Sequence, residues 1–197
     1  MNKIELYIED EIDILSEEYT KDDLSNLDIK NKTISNTKLD GCNLTTSDYN
    51  NVYFEKVIFN NCDISNCKFI DCNFKEVQFE NCKLVGVSIS NCHITKLSIT
   101  NSKSKYINIV DSKIKELTIK DSDLSESSFY NLELSKSIFE NSNFHASEFM
   151  QTKLSGIDFS TCDITSIKIE DKCLRGIKVN QFQAIELASL LGIEVIE

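Results

Sequence analysis

Stepping along the chain by five from Leu24 to Val179 meets Leu, Ile, Phe, Val or Tyr at 31 of 32 positions, and Ser104 is the single lapse. Ten of the 11 phenylalanines lie on this grid: Phe54, Phe59, Phe69, Phe74, Phe79, Phe129, Phe139, Phe144, Phe149 and Phe159. An α-helix advances about 100° per residue, so a five-residue step lands about 140° away and the apolar set would spiral round the surface. A straight strand alternates faces, so an odd step sends successive members to opposite sides. A chain that buries every fifth residue must therefore turn a corner once per repeat, and a repeat of this kind governs the whole fold.

Neighbouring positions agree. Two residues before each centre the side chain is small or apolar nearly throughout, as in Cys42, Ser47, Val52, Val57, Cys62, Cys67, Cys72 and Val77, with Asp22, Lys32 and Lys172 as exceptions near the ends. Two residues after it, Asn occurs in 11 repeats and Gly at 41, 86, 156 and 176; both tolerate the left-handed backbone that corners need. The residue just before the centre is Asp or Asn 11 times, and a 20-residue period sorts these into columns of six, three, one and one. The rich column, Asp23, Asn43, Asp63, Asp123, Asn143 and Asp163, predicts four repeats per turn.

Cys42-Asn-Leu-Thr-Thr, Cys62-Asp-Ile-Ser-Asn, Ser122-Asp-Leu-Ser-Glu, Ser142-Asn-Phe-His-Ala and Cys162-Asp-Ile-Thr-Ser resemble the pentapeptide-repeat consensus. The resemblance implies an all-β solenoid, a right-handed quadrilateral β-helix of pentapeptide repeats. The organisation it suggests is an acidic N-terminal cap segment over 1–23, the β-helix over 24–180, and a C-terminal helix with a dimerisation tail over 181–197. Ile12, Ile14 and Tyr19 fall on or near the grid, which leaves room for an earlier start.

A solenoid exposes its core at both ends and needs caps. Between Gln181 and Leu191 the apolar residues Phe182, Ile185, Ala188, Leu190 and Leu191 recur at helical spacing, Gly192 ends the helix, and Ile193, Val195 and Ile196 follow as an extended tail. Phe182, Ile185, Leu187, Leu190 and Leu191 exceed what one coil end can cover, which predicts a homodimer through this cap. The segment is similar to the C-terminal cap of the Qnr-type subgroup, whose members protect DNA gyrase and topoisomerase IV from quinolones. Many of those proteins carry two loops that interrupt the coil. Here the register is unbroken from 24 to 179, so no loop residue carries over.

Of the net charge of −11, residues 1–23 hold −7 and the tail −3. The coil is nearly neutral but polarised. The side centred on Ile34, Phe54, Phe74, Ile94, Ile114, Leu134, Leu154 and Leu174 carries +6, and the adjacent side centred on Ile29, Tyr49, Phe69, Ile89, Ile109, Phe129, Phe149 and Ile169 carries −4. Asp48, Asp71, Asp111, Glu148, Glu170 and Asp171 on that acidic side are the expected partner-binding residues. Two coils of roughly 37 Å joined head to head span about 20 base pairs, which suits a DNA mimic bound to gyrase or topoisomerase IV; the alternative is a scaffold for another protein.

Seven of the eight cysteines (Cys42, Cys62, Cys67, Cys72, Cys82, Cys92 and Cys162) occupy the small inward site, where Cys acts as a compact hydrophobe. Their register fits neither a disulfide framework nor a zinc site. Cys173 is off the column and is the expected reactive thiol. His93 and His145 lie at outward positions on different sides, and no Ser/His/Asp or Cys/His grouping assembles. No catalytic residue, cofactor or metal is therefore expected, and no direct nucleic-acid binding. An acidic N-terminus without a continuous apolar run, no stretch of membrane-spanning length, and free thiols predict a cytoplasmic protein without membrane contact. Ser104 is expected to sit in a local bulge covered by Tyr106, with a ligand pocket as the alternative.

Overall fold

The computed structural model describes residues 3–196. The chain winds as a parallel β-solenoid of about eight turns. Strand pairings join residues one coil apart, as in Phe54↔Phe74, Phe74↔Ile94 and Phe129↔Phe149, so four repeats per turn is the observed geometry.

The corner at position i+2 makes this possible. Asn61, Asn81 and Asn101 have φ of 54°, 54° and 49°, and Lys56, Tyr106 and Glu116 adopt 53°, 58° and 63° at the same position. Left-handed backbone costs an ordinary L-residue about 1–2 kcal/mol, so closure of the coil imposes it even where Asn or Gly is absent. Corner N–H groups are satisfied by the following coil, as in Asn61 N to Glu80 O (3.0 Å) and Gly86 N to Lys105 O (2.9 Å). Gly86 has a φ of +70°, and an added Cβ would lie 2.7 Å from Asn66 Oδ1, so a larger residue there would displace the Asn66 side chain as well as accept the left-handed backbone.

The four sides differ. The first, centred on Leu24 through Ile164, has only isolated bridges, from Asp23↔Asn43 to Asn143↔Asp163. Its Asp/Asn column closes two-residue turns by accepting from the backbone two residues on: Ser65 N donates to Asp63 Oδ1 (3.0 Å), Ser125 N to Asp123 Oδ1 (3.1 Å), His145 N to Asn143 Oδ1 (2.8 Å) and Thr165 N to Asp163 Oδ1 (2.9 Å). These are Asx turns, the physical reason for the column seen in the sequence. The second side is an eight-stranded sheet, and the third and fourth share an 11-stranded one. Three strands, Asn73–Glu80, His93–Thr100 and Lys113–Lys120, run unbroken around the corner between sides three and four.

Inside, aromatic rings stack coil on coil: Tyr49 on Phe69 (4.8 Å), Phe54 on Phe74 (5.1 Å), Phe59 on Phe79 (4.8 Å) and Phe129 on Phe149 (4.5 Å). Such pairs add about 0.5–1.5 kcal/mol each beyond area burial. The inward i−2 site has a polar task as well. Cys82 N donates to Ser102 Oγ (3.0 Å), Ser102 N to Ser122 Oγ (3.1 Å) and Ser122 N to Ser142 Oγ (3.2 Å), so hydroxyls serve backbone N–H groups at the corners.

The structure moves the first boundary. Ile14 and Tyr19 are buried and pair with Ile34 and Leu39, so the coil begins near residue 14 rather than 24. The part of the acidic segment from residue 14 on is therefore wall of the first turn. The cap proper is α1 (Lys3–Glu9), which lays Ile4 onto the core. At the other end α2 (Asp171–Leu174) replaces a strand, and α3 (Gln181–Leu190) closes the coil. The expected apolar stripe is not the buried one: Gln183 and Leu187 face the coil, while Phe182 is 70% exposed. Asn180 makes a capping box with Gln183, and Gln183 Nε2 donates to Phe159 O (2.9 Å) and Cys162 O (2.7 Å), satisfying carbonyls that no further coil covers.

No bulge forms at Ser104. Its backbone keeps the ladder, with Ser104 N to Asp123 O at 2.7 Å, while Tyr106 points outward and donates to Glu126. Ser104 is fully buried and its Oγ has no hydrogen-bond partner among the described residues. Ser104→Val should therefore raise unfolding stability by about 1 kcal/mol or more, from apolar burial and removal of a stranded hydroxyl; an unchanged or lower urea midpoint would mean the site has no room.

Hydrogen bonds from the side chain and backbone N–H of Thr165 hold the Asp163 carboxyl below its usual range, and Ser160 does the same for Asp158. A depressed carboxylate contributes stability above its unfolded pKa and loses it as pH falls through the folded one, here below about pH 4. Asp163→Asn with Asp158→Asn keeps the accepting oxygen and should flatten the acid limb of a stability–pH curve. An identical acid limb would place the acid sensitivity elsewhere.

Candidate functional site: the outer faces and the C-terminal cap

The six acidic residues do share the second side, but not one environment. Asp48 pairs with Lys68 (3.3 Å), Glu148 with Lys168, and Glu170 with Lys172 (2.9 Å). The Lys172 contact holds the Glu170 carboxyl below its usual range. Asp71, Asp111 and Asp171 form a separate column along one edge and are exposed. Asp71 and Asp111 adopt positive φ at corners, and Asn131 Nδ2 donates to Asp111 Oδ1 (2.7 Å). The acidic side is thus half neutralised, with its remaining charge on an edge.

Ion pairing between neighbouring coils recurs on the other sides. Lys75 meets Glu55 (2.6 Å), Lys83 meets Asp63 (3.0 Å), Lys113 meets Glu133 (3.3 Å) and Lys120 meets Glu140 (3.3 Å). Exposed pairs of this kind are worth about 0–1 kcal/mol each. They matter more for the surface potential, because all four acids of the basic third side are paired with lysines. The sequence tally did not show this, since it summed the charges of each side without pairing residues 20 apart.

At the C-terminal cap Phe182, Ile185, Leu190 and Leu191 are exposed, and the tail continues the patch with Ile193, Val195 and Ile196. Leu187 does not belong to it. At 8% exposure it is covered by its own coil, one turn after Gln183 on the same helix face.

Cys173 departs from expectation too. It is buried at 3% because α2 rotates this repeat, placing Lys172 outside and Cys173 inside. All eight cysteines are free and buried. Burial pushes the Cys67 thiol up to about 12 and raises Cys42 and Cys162 as well. Among the described residues no cluster of three or more His, Cys, Asp or Glu could hold a metal ion, and no helix is long and apolar enough to cross a membrane. His93 and His145 are both exposed, on the third and first sides.

A 20-residue coil, corners at positive φ and small inward residues place the chain with known proteins. The profile described as pentapeptide repeat region matches residues 32–109 and 52–129, and that described as pentapeptide repeats (8 copies) matches 127–165. The chain belongs to the pentapeptide-repeat family. Among solved structures it is similar to a trypsin-treated variant of QnrB1, a plasmid-mediated fluoroquinolone resistance protein, at 18% identity and a TM-score of 0.40, covering 93% of this chain and all of that one. It is also similar to HetL, involved in heterocyst differentiation regulation in the cyanobacterium Nostoc sp. strain PCC 7120, at 12% identity and a TM-score of 0.34, covering 85% and 90%. No curated protein matches the sequence.

With Cys173 inside, native protein should react with none of its thiols at an appreciable rate, and denaturant should release all eight together. Rapid native labelling of Cys173 alone would mean that α2 opens locally.

Proposed function

We propose that this pentapeptide-repeat chain is a non-enzymatic rod that mimics duplex DNA, binds DNA gyrase or topoisomerase IV and protects it from quinolones as a cytoplasmic homodimer. The observation that carries the reading is the exposed edge column of Asp71, Asp111 and Asp171 along a coil whose five-residue register is unbroken, ending in a cap with exposed Phe182, Ile185, Leu190 and Leu191. Duplex DNA presents negative charge in a regular row about every 1.7 Å of axis, and a rigid acidic edge imitates that row only coarsely. The similarity of the cap to the Qnr-type subgroup adds support.

One observation favours the alternative, a scaffold for a different protein. Lysines neutralise Asp48, Glu148 and Glu170, so much of the acidic side is electrically ordinary.

Supercoiling by gyrase in the presence of a quinolone, with and without the protein, separates the two. Protection should appear, weaken as salt rises, and fall at least about tenfold in potency with Asp71→Lys and Asp111→Lys. Glu148→Lys should matter less because that carboxylate is already paired. Protection indifferent to Asp71 and Asp111 would sink the mimicry, and no binding to either enzyme would favour the scaffold. Phe182→Asp or Leu191→Asp should yield monomers in sedimentation; variants that stay dimeric would place the interface elsewhere.

A further inference from the structure

The wall of the solenoid opens between two coils. On sides three and four, strands Glu133–Ser135 and Ile138–Glu140 pair with Lys113–Lys120 of the preceding coil. In the following coil residues 153–160 form no strand of either sheet, so the 11-stranded sheet ends there. Elsewhere the coils are joined by bonds such as Asn73 N to Val52 O (3.0 Å), Gln78 N to Val57 O (3.0 Å) and Lys56 N to Lys75 O (2.8 Å). Their counterparts here would join Lys153 N to Leu132 O, Asp158 N to Ser137 O and Lys136 N to Ser155 O, and among the described residues none of these forms. The ladder is intact on either side of the gap, with Phe129 paired to Phe149 before it and Asn143 bridged to Asp163 after it.

The gap holds a crevice of about 240 Å³. Ser135, Lys136 and Ser137 come from one wall and Lys153 and Ser155 from the other, over apolar Leu134 and Ile157. Among the described residues no carboxylate lines it. Lys153 has no ion pair among the described residues, and Lys136 has only Glu116 of the preceding coil, at 3.9 Å.

Ser137 breaks an apolar column. The inward position it occupies is Val57, Val77, Leu97 and Leu117 in the coils before and Ile157 and Ile177 in those after. Its Oγ is buried with no hydrogen-bond partner among the described residues, while the next residue, Ile138, is 56% exposed. A buried hydroxyl of this kind calls for a group that bonds it. Ser104 lies behind a closed ladder, whereas Ser137 lines an opening through which such a group can come.

The missing bonds leave backbone donors at Lys136 and Lys153 and backbone acceptors at Ser137 and Ser155 along the walls. Side chains add ammonium groups and hydroxyls and no acid. A ligand that answers the whole set carries negative charge for the lysines and hydroxyls, which both donate and accept, for the serines and the backbone. Pockets for drug-sized molecules run to about 300–1,000 Å³, so a crevice of about 240 Å³ takes something smaller.

We propose that this crevice binds a small polyhydroxylated anion, a sugar phosphate or a sugar acid, with Lys136 and Lys153 on its charge and Ser135, Ser137 and Ser155 on its hydroxyls. The site belongs to one chain and depends neither on the topoisomerase reading nor on the oligomeric state.

The test is isothermal titration calorimetry of the full-length protein with ribose 5-phosphate, gluconate, ribose and inorganic phosphate. Ribose 5-phosphate or gluconate should bind saturably with a Kd below about 1 mM, and ribose at least about tenfold more weakly; the tighter of the two anions identifies the charged group. Lys153→Glu and Ser137→Val should each weaken that binding at least about tenfold, while Lys83→Glu on the first side should leave it unchanged. Ser137→Val restores the residue type of its column, so its urea midpoint should be no lower than that of the unaltered protein, which separates lost binding from lost folding. Hydrogen exchange of the Lys136 and Lys153 amides should slow when the ligand is added. No saturable binding of either anion, ribose binding as tightly as ribose 5-phosphate, or an affinity untouched by Lys153→Glu and Ser137→Val overturns the site. Inorganic phosphate binding as tightly as ribose 5-phosphate overturns its assignment to a polyol.

Discussion

The corner residue at i+2 sustains the rest of the structure. Its positive φ turns the chain once every five residues, and the turn brings residue n over residue n+20. Asn and Gly make the corner at little cost, but Lys56, Tyr106 and Glu116 are held there as well, so cooperative stacking of the coils overrides local preference. Once the corners are set, each coil offers its neighbour the same pattern of N–H groups, carbonyls, rings and charges. The aromatic stacks, hydroxyl relays and Lys–Glu pairs are consequences of that register.

Register also governs what the surface can do. A residue cannot be read as acidic or basic on its side alone, because its partner one coil away decides whether its charge is available. Asp48 and Glu148 lose theirs to Lys68 and Lys168, while the edge column of Asp71, Asp111 and Asp171 keeps its exposure. Recognition by such a rod draws on edges, ends and breaks in the wall more than on the mean charge of a face. The C-terminal end and the crevice after Leu134 are where apolar side chains and backbone edges meet solvent.

The period of five, the four-sided coil, the inward small column and the Asx column of Asp23, Asn43, Asp63, Asp123, Asn143 and Asp163 were legible in the sequence, because each residue type answers a local steric or hydrogen-bonding demand that recurs at fixed spacing. Less legible were the ends, where the repeat gives way. Ile14 and Tyr19 obeyed the grid but stood among acids, and only their pairing with Ile34 and Leu39 shows that the first turn is already formed. Cys173 looked outward by register, and the four-residue α2 turned it inward.

By itself, then, the sequence determined the periodic part of this protein, since a strict five-residue hydrophobic grid forces a corner in every repeat and the 20-residue Asp/Asn column sets four repeats to a turn. Tertiary structure decided which charges are free, which face of α3 is buried and where the wall opens. Those outcomes depend on contacts between residues 20 apart and on carbonyls left over at the coil's end. Gln183 illustrates the difference: no apolar pattern selects a glutamine for the core-facing side of a helix, yet the unsatisfied carbonyls of Phe159 and Cys162 do.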